Sequence, residues 1–500
     1  MKKLLAMVLA FAMILSMAAC SGSGNGGKTD SGKLDTSKEV EIVMYFISDR
    51  PAGQDIIDEN MNKIFKEKLN CTLKINWIPW SDYKNTYNLL LSSGEAVDLI
   101  YCAGWLGYSQ LAQQGAFKNV DELWPTYAPD NYAKATDEAK AQTVVNGKMY
   151  CIPTLWATYY GQGPLWRTDI LEGTELEGIV LDSFENIEKY CDFCKENYPE
   201  ILPLEMSSNG SNYDSMWCRS LGYREMGIFY YDPTEEHPTL KTFTELDTCE
   251  EFLTMMARWN EKGYYSKSCL SDTSGDSSAD KGTAFMRCHN VDSFQGYQQK
   301  TNLGASDFQW QFQDIDKYAA HLPFTQDAVC VPSGSKNPER AVALWNLITS
   351  DQEAYDAFYY GIEGTSYKLN EDGSVTMLDP DTYSTSGMWT VRTTGLTRDT
   401  EGTPAEWNEW HETWEKMIAE NDVWEKFSSL TVDTAGLDTE LANINDVMLK
   451  YWSPLELGLN TNGIEGGIAE FNEKLQQAGV EKVREAYQAQ LDAYIENMNK

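Results

Sequence analysis

The 500-residue chain carries 76 acidic against 40 basic side chains, a formal net charge of −36. So acidic a surface repels nucleic acid and anionic lipid, and it excludes a generally anionic ligand unless a local Arg or Lys pocket overrides the field. The length exceeds what one small core can bury, so two lobes are expected.

Residues 1–20 read as a targeting segment. Lys2 and Lys3 form a basic start, Leu4 to Leu15 an unbroken apolar run, and Met17-Ala18-Ala19 a small-residue approach to Cys20. The run is shorter than the roughly 20 residues a spanning helix needs. Cleavage after residue 19 would remove two lysines and leave 38 basic against 76 acidic residues, a net −38. Residues 20–38 are rich in Gly, Ser, Lys and Asp, with Leu34 as their one large apolar residue. That composition predicts a disordered tether reaching on the order of 25 Å.

Val40 to Phe46 predicts a strand, Gln54 to Leu69 a helix with Ile57, Met61 and Ile64 at helical spacing, and Thr72 to Ile78 a second strand. A helix from Asp82 to Leu91 and a short buried strand from Asp98 to Cys102 complete a strand-helix alternation that signals a parallel α/β sheet. Ligands of such sheets sit beyond the carboxyl ends of the strands, which here are Ser48-Asp49-Arg50, Pro79-Trp80 and Ala103-Gly104-Trp105. Asn146-Gly147 predicts a hairpin turn, continued by the aromatic run Thr154 to Tyr160. Ser183 to Asn197 and Thr248 to Lys262 read as amphipathic helices, each opened by a hydroxyl cap.

Further on, Ala328 to Pro332 reads as a buried strand, Glu339 to Tyr359 as one helix, and Tyr367 to Val375 as a hairpin around Asp372-Gly373. The tail from Glu406 is mostly helical, with Trp407, Trp410 and Trp414 on one stripe. Ten cysteines beyond Cys20 are scattered singly through apolar contexts, apart from Cys191 and Cys194 in a helical pattern. Buried thiols or disulfides are both compatible with this, and no metal-ligand spacing is present. Asp272, Asp276 and Asp280 fall at intervals of four, which does not match a calcium-loop spacing, so a solvated loop is expected. No cofactor or metal is expected, and no GxSxG, HExxH or Walker motif points to catalysis.

The lipobox-like Met17-Ala18-Ala19-Cys20 resembles that of bacterial lipoproteins, in which the cysteine is diacylated. With the tether, the strand-helix-strand start, Asn146-Gly147-Lys148 leading to Ile152-Pro153, Arg167 to Leu171, Asn337-Pro338-Glu339-Arg340-Ala341, Gly361-Ile362-Glu363-Gly364 before Tyr367, and the run from Gly466 to Tyr494, the chain resembles family 1 extracellular solute-binding proteins, the sugar-binding lipoproteins of ABC importers in Gram-positive bacteria. The resemblance implies an α/β, two-lobe periplasmic-binding-protein-like fold of type II with a hinge and an interlobe cleft. It implies lobe one from 40–153 plus 328–378, and lobe two from 154–327 plus 379–500. It implies a monomer anchored at the extracellular membrane face through Cys20, which captures a carbohydrate by closure and delivers it to permease subunits. A peptide or other non-sugar ligand, a surface adhesin and a secreted glycosidase are the alternatives.

Sugar binding calls for flat apolar faces beside polar groups that replace lost water. Trp105, Trp156, Trp80 and Tyr159 are the aromatic candidates, and Asp49 and Glu363 the polar ones. Each has a plain packing or turn-forming alternative. Arg392 reads as a surface ion pair in so acidic a chain.

Overall fold

The computed structural model describes residues 34–79, 82–159, 163–206, 213–271, 278–279, 282–289, 308–310, 320–379, 382–383, 388–401, 403, 405–420, 423, 425–428 and 430–498. The signal segment, Cys20, the tether up to residue 33, Trp80, and Asp272, Asp276 and Asp280 lie outside the described residues. The chain divides into Met1–Asp35 and Thr36–Lys500, and every element below belongs to the second unit.

Two larger sheets are built from β1 (Val40–Ile47), β2 (Cys71–Ile78), β3 (Leu99–Cys102), β4 (Cys151–Ile152), β5 (Gly163–Arg167), β6 (Leu202–Leu204), β7 (Ala284–His289), β8 (Phe308–Trp310) and β9 (Ala328–Cys330). The helices used below are α1 (Gln54–Leu69), α2 (Phe184–Asn197), α3 (Cys249–Lys262), α4 (Pro338–Ser350), α5 (Gln352–Tyr359), α6 (Ala405–Glu420), α7 (Gly463–Ala478) and α8 (Val480–Met498).

The first sheet has the order β2-β1-β3-β9-β4. β1 pairs in parallel with β2 and β3, which brings the carboxyl ends of all three to one edge. β9 is antiparallel to both β3 and β4, so the sheet is mixed rather than parallel throughout. The reason is chain path: β9 arrives from the distant second sheet and not through a crossover helix beside its neighbours. Within β1, Ile42, Met44 and Phe46 are fully buried on one face, as a period of two requires.

Helix α1 buries Ile57, Met61 and Phe65, one side chain per turn. It ends at Asn70 in the left-handed region, φ 48°, with the Asn70 N–H returning to the Lys66 carbonyl. The guanidinium of Arg340 completes this end, with Nη1 donating to the carbonyls of Leu69 at 2.5 Å and Asn70 at 3.0 Å. The motif Asn337 to Ala341 is thus a device that docks α4 on the end of α1. Gly361 is held at φ 92°, where a Cβ would meet Ile57 Cδ1 at 2.6 Å, so only glycine fits.

The single helix expected over 339–359 is two. Asp351 adopts an extended conformation between α4 and α5, and its Oδ1 accepts from the Ala354 N–H at 3.0 Å. An aspartate that can cap a new helix competes with continuing the old one. The cap expected at Thr248 is also absent: its hydroxyl accepts from Trp217 Nε1 at 3.2 Å instead, whereas Ser183 caps α2 through the Asn186 N–H as expected. The turn at Asn146 and Gly147 has φ of 51° and 77°, the left-handed pair that a two-residue hairpin demands.

The second sheet has the order β8-β5-β7-β6. Apolar side chains gather in two clusters. One runs from Ile42 to Ile152 and resumes from Ala328 to Val391; the other runs from Trp166 to Cys288 and resumes from Phe427 to Ile495, taking in α2, α3, α7 and α8. The chain passes between the sheets along adjacent segments. Thr154 N–H donates to the Phe324 carbonyl at 3.0 Å, Leu322 N–H to the Thr158 carbonyl at 2.7 Å, and Thr394 N–H to the Leu155 carbonyl at 3.1 Å. Residues 154–159, 321–324 and 393–394 therefore travel as one hydrogen-bonded strip.

Candidate functional site

β3 ends in Cys102, and the next residues turn through a short 3-10 segment, Gly104–Leu106, that carries Trp105 outward. Trp105 is 42% exposed, unusual for an indole with so many apolar neighbours. Its ring meets Tyr83 edge-on at 5.7 Å and Tyr101 at 6.0 Å, and Tyr101 in turn meets Trp389 at 6.5 Å. Aromatic pairs at these separations hold each other's orientation.

Beneath the rings lies a polar line. The buried Tyr101 hydroxyl donates to Asp327 Oδ1 at 2.9 Å, and Asp327 Oδ2 faces Arg392 Nη2 at 3.5 Å. Arg392 also lies over the ring of Trp156, 5.9 Å from its centroid. Asp327 and Arg392 are 8% and 9% exposed, so Arg392 belongs to a buried pair and not to the surface pair expected from sequence. Burial first, and the Asp327 charge next, push the Tyr101 phenol well above its ordinary range, keeping it a donor. Trp156 is half-buried, and its indole N–H is buried without an acceptor among the described residues.

A second group sits on the strip between the sheets. Tyr159 is 6% exposed and packs on Trp414 at 4.8 Å, His411 at 5.3 Å and His321 at 5.4 Å. Its hydroxyl donates to Glu415 Oε1 at 2.5 Å. His321 is held at both ring nitrogens, Nε2 by Glu415 and Nδ1 by Glu425, each at 2.9 Å. Burial pulls the imidazole pKa down, but the two carboxylates outweigh it and hold it up at about 10, so the ring is a cation at neutral pH.

The structure thus joins Trp105 and Trp156 through Tyr101, Asp327 and Arg392. It commits Tyr159 to packing and to Glu415 rather than to an open face. Asp49 is exposed just past β1, and Glu363 is exposed in a turn closed by the Gly364 N–H to the Tyr367 carbonyl. Among the described residues, no hydrogen bond or ring contact ties either to the Trp105 group. Sequence reading missed Tyr101, Asp327, Trp389, His321 and Glu415. An acidic residue directly before the buried run Ala328 to Val331 was the one available signal, since a carboxylate at a strand mouth has a place to face a cleft.

Two sheets, each with its own apolar cluster, and an aromatic and charged site at the strand ends beside the strip that links them, define a solute-binding protein. The chain belongs to the bacterial extracellular solute-binding protein family, whose profile matches residues 60–364. A domain of unknown function, DUF3502, matches residues 426–496, which include α7 and all but the last two residues of α8. The chain is similar to a carbohydrate ABC transporter substrate-binding protein of Streptococcus pneumoniae serotype 4, 26% identical across 97% of this chain and 96% of the relative. It is similar to lipoprotein LipO of Bacillus subtilis, 24% identical over 43% of this chain and 42% of that one. Among solved structures, it resembles the N-glycan transport solute-binding protein NgtS of Streptococcus pneumoniae in complex with Man1GlcNAc, at 22% identity and a TM-score of 0.76, covering 91% of this chain and all of that one. The substrate-binding protein FusA of S. pneumoniae with kestose aligns at 15% identity and a TM-score of 0.61, covering 92% of this chain and 100% of that one. These structures show the shared mixed α/β fold. Membership places the chain among extracellular binding proteins rather than enzymes. Among the described residues no helix is long and apolar enough to cross a membrane.

Proposed function

We propose that the protein captures an oligosaccharide between two lobes and delivers it to the permease of an ABC importer. The observation that carries this reading is Trp105, exposed at the mouth of β3 and steadied from behind by Tyr101 and its bond to Asp327. An indole face takes the C–H face of a pyranose, while buried polar groups left unpaired by a wrong ligand cost about 1–3 kcal/mol each. The names of similar proteins, a carbohydrate transporter component and two glycan-bound structures, point the same way.

The two apolar clusters support lobes near 40–153 plus 328–378 and 154–327 plus 379–500, with the first extended to Val391 by the packing of Met388 and Val391. The strip of residues 154–159, 321–324 and 393–394 is the hinge in this reading, and ligand closes the lobes by binding the closed form more tightly. Trp105 and Trp156 are the stacking residues. Cys20 is the lipid anchor at the extracellular face, and Cys20→Ser is expected to release the protein from the membrane fraction with ligand binding unchanged. Calorimetric titration with neutral oligosaccharides tests the capture: saturable binding that Trp105→Ala weakens is expected, and no binding by any glycan would overturn it.

A further inference from the structure

Three thiols meet inside the first sheet. Cys102 ends β3, Cys330 ends β9 and Cys151 opens β4, and all three are fully buried. In the ladder, Cys330 lies opposite Cys151 and Ala328 lies opposite Cys102. Side chains two apart on one strand share a face, so all three sulfurs point the same way. The sulfurs of Cys102 and Cys330 are 2.9 Å apart. That is inside the roughly 3.5–4.0 Å at which non-bonded heavy atoms rest, and less than about 1 Å from the length of a disulfide.

The cluster is also chemically uneven. Burial pushes the thiols of Cys102 and Cys330 well up. Burial would raise Cys151 too, but hydrogen bonds from Cys102, Cys330 and Tyr108 outweigh it and lower its thiol. Cys151 thus accepts from its neighbours, while the Cys330 thiol lies directly against the Cys102 sulfur.

We propose that Cys102 and Cys330 close into a disulfide as the chain folds in its extracellular setting, with Cys151 left as a thiol. The oxidant is a disulfide, either a small molecule such as oxidised glutathione or a protein oxidoreductase. One cysteine thiolate attacks the oxidant's S–S bond, which breaks as a mixed disulfide forms and one oxidant thiolate leaves. The second cysteine thiolate attacks the protein sulfur of that mixed disulfide, the Cys102–Cys330 bond forms, and the second oxidant thiolate leaves. The two protons given up by the cysteines end on the two oxidant thiols; the protein loses two electrons and the oxidant gains them. Because both sulfurs are inaccessible in the finished sheet, the exchange takes place before the strands close over them.

The bond joins segments 228 residues apart, and it fixes the returning strand β9 to β3. Cys102 stands three residues before Trp105, and Cys330 three after Asp327. The cross-link therefore ties β9, which begins just after Asp327, to the end of β3 that leads into Trp105.

The test is peptide mapping of the full chain, refolded once in glutathione redox buffer and once in dithiothreitol, with free thiols alkylated under denaturing conditions before digestion. A linked peptide pair containing Cys102 and Cys330 is expected in the first sample alone, and Cys151→Ala is expected to retain it. The same mapping on protein secreted by a host with an oxidising exterior needs no refolding. Alkylated Cys102 and Cys330 in the oxidised and secreted samples, or a link through Cys151, would overturn the proposal.

Discussion

Tyr101 and Asp327, 226 residues apart in sequence, share a 2.9 Å hydrogen bond at the mouth of the first sheet. It couples the strand that carries Trp105 to the segment returning from the second sheet, and through Arg392 to Trp156. The aromatic site and the path between the sheets are therefore one mechanical unit.

Breaking that bond is expected to cost stability by amounts that separate its parts. Tyr101→Phe removes one buried hydrogen bond and is expected to cost about 1–2 kcal/mol. Asp327→Ala removes both the acceptor of Tyr101 and the carboxylate facing Arg392, and is expected to cost about 2–3 kcal/mol. Chemical denaturation of both variants and of the double variant checks this, and a double-mutant coupling energy near zero would show that the bond does not form.

Trp105 is expected to separate binding from folding. The residue is already 42% exposed, so Trp105→Ala is expected to change stability by less than about 1 kcal/mol while weakening glycan binding by about 1–3 kcal/mol. Calorimetry on the folded variant gives both numbers, and unchanged affinity would remove Trp105 from the site.

His321 gives a pH signature. Its folded pKa near 10 lies above the unfolded value of about 6.5, so its clamp is complete below pH 6.5 and is lost as pH rises through 10. Because Glu415 is half exposed and screened, the loss is expected to be about 2 kcal/mol rather than the full linkage value. Melting midpoints measured from pH 6.5 to 10 are expected to fall in the natural protein and to stay flatter in His321→Gln.

Asp98 anchors the loop that enters α4. Its Oδ1 accepts from the Ser335 hydroxyl at 2.7 Å and from the N–H groups of Asn337 at 3.1 Å and Lys336 at 3.2 Å, while Oδ2 accepts from Val43 N–H at 3.2 Å. Asp98→Ala strands these donors and is expected to cost about 3 kcal/mol, read as a lowered denaturation midpoint.

The local elements of the first sheet were legible because period and punctuation agree there. Gln54 to Leu69 matches α1 to the residue, since Ile57 and Met61 at helical spacing mark the buried face. Asn146-Gly147 named its own turn. The break at Asp351 was hidden because the apolar pattern continues through it, and only the capping bond reveals two helices. The site was half legible. Trp105 could be placed by its position after a parallel strand, but Asp327, His321 and Glu415 are brought in from residues hundreds of positions away, and no spacing encodes such a meeting. Arg392 was misread for the same reason, because its partner Asp327 is distant in sequence and nothing local to Arg392 announces that it is buried.

The capture of an oligosaccharide is tested most directly by thermal shift of the mature chain, made soluble by Cys20→Ser, against neutral oligosaccharides, uronic-acid oligomers and short peptides. At 100 times the dissociation constant a ligand adds about 2.7 kcal/mol to the folded state. A raised midpoint with neutral oligosaccharides, reduced in Trp105→Ala, is the predicted result. A cooperative melt that no glycan moves, or that peptides alone move, would contradict the account.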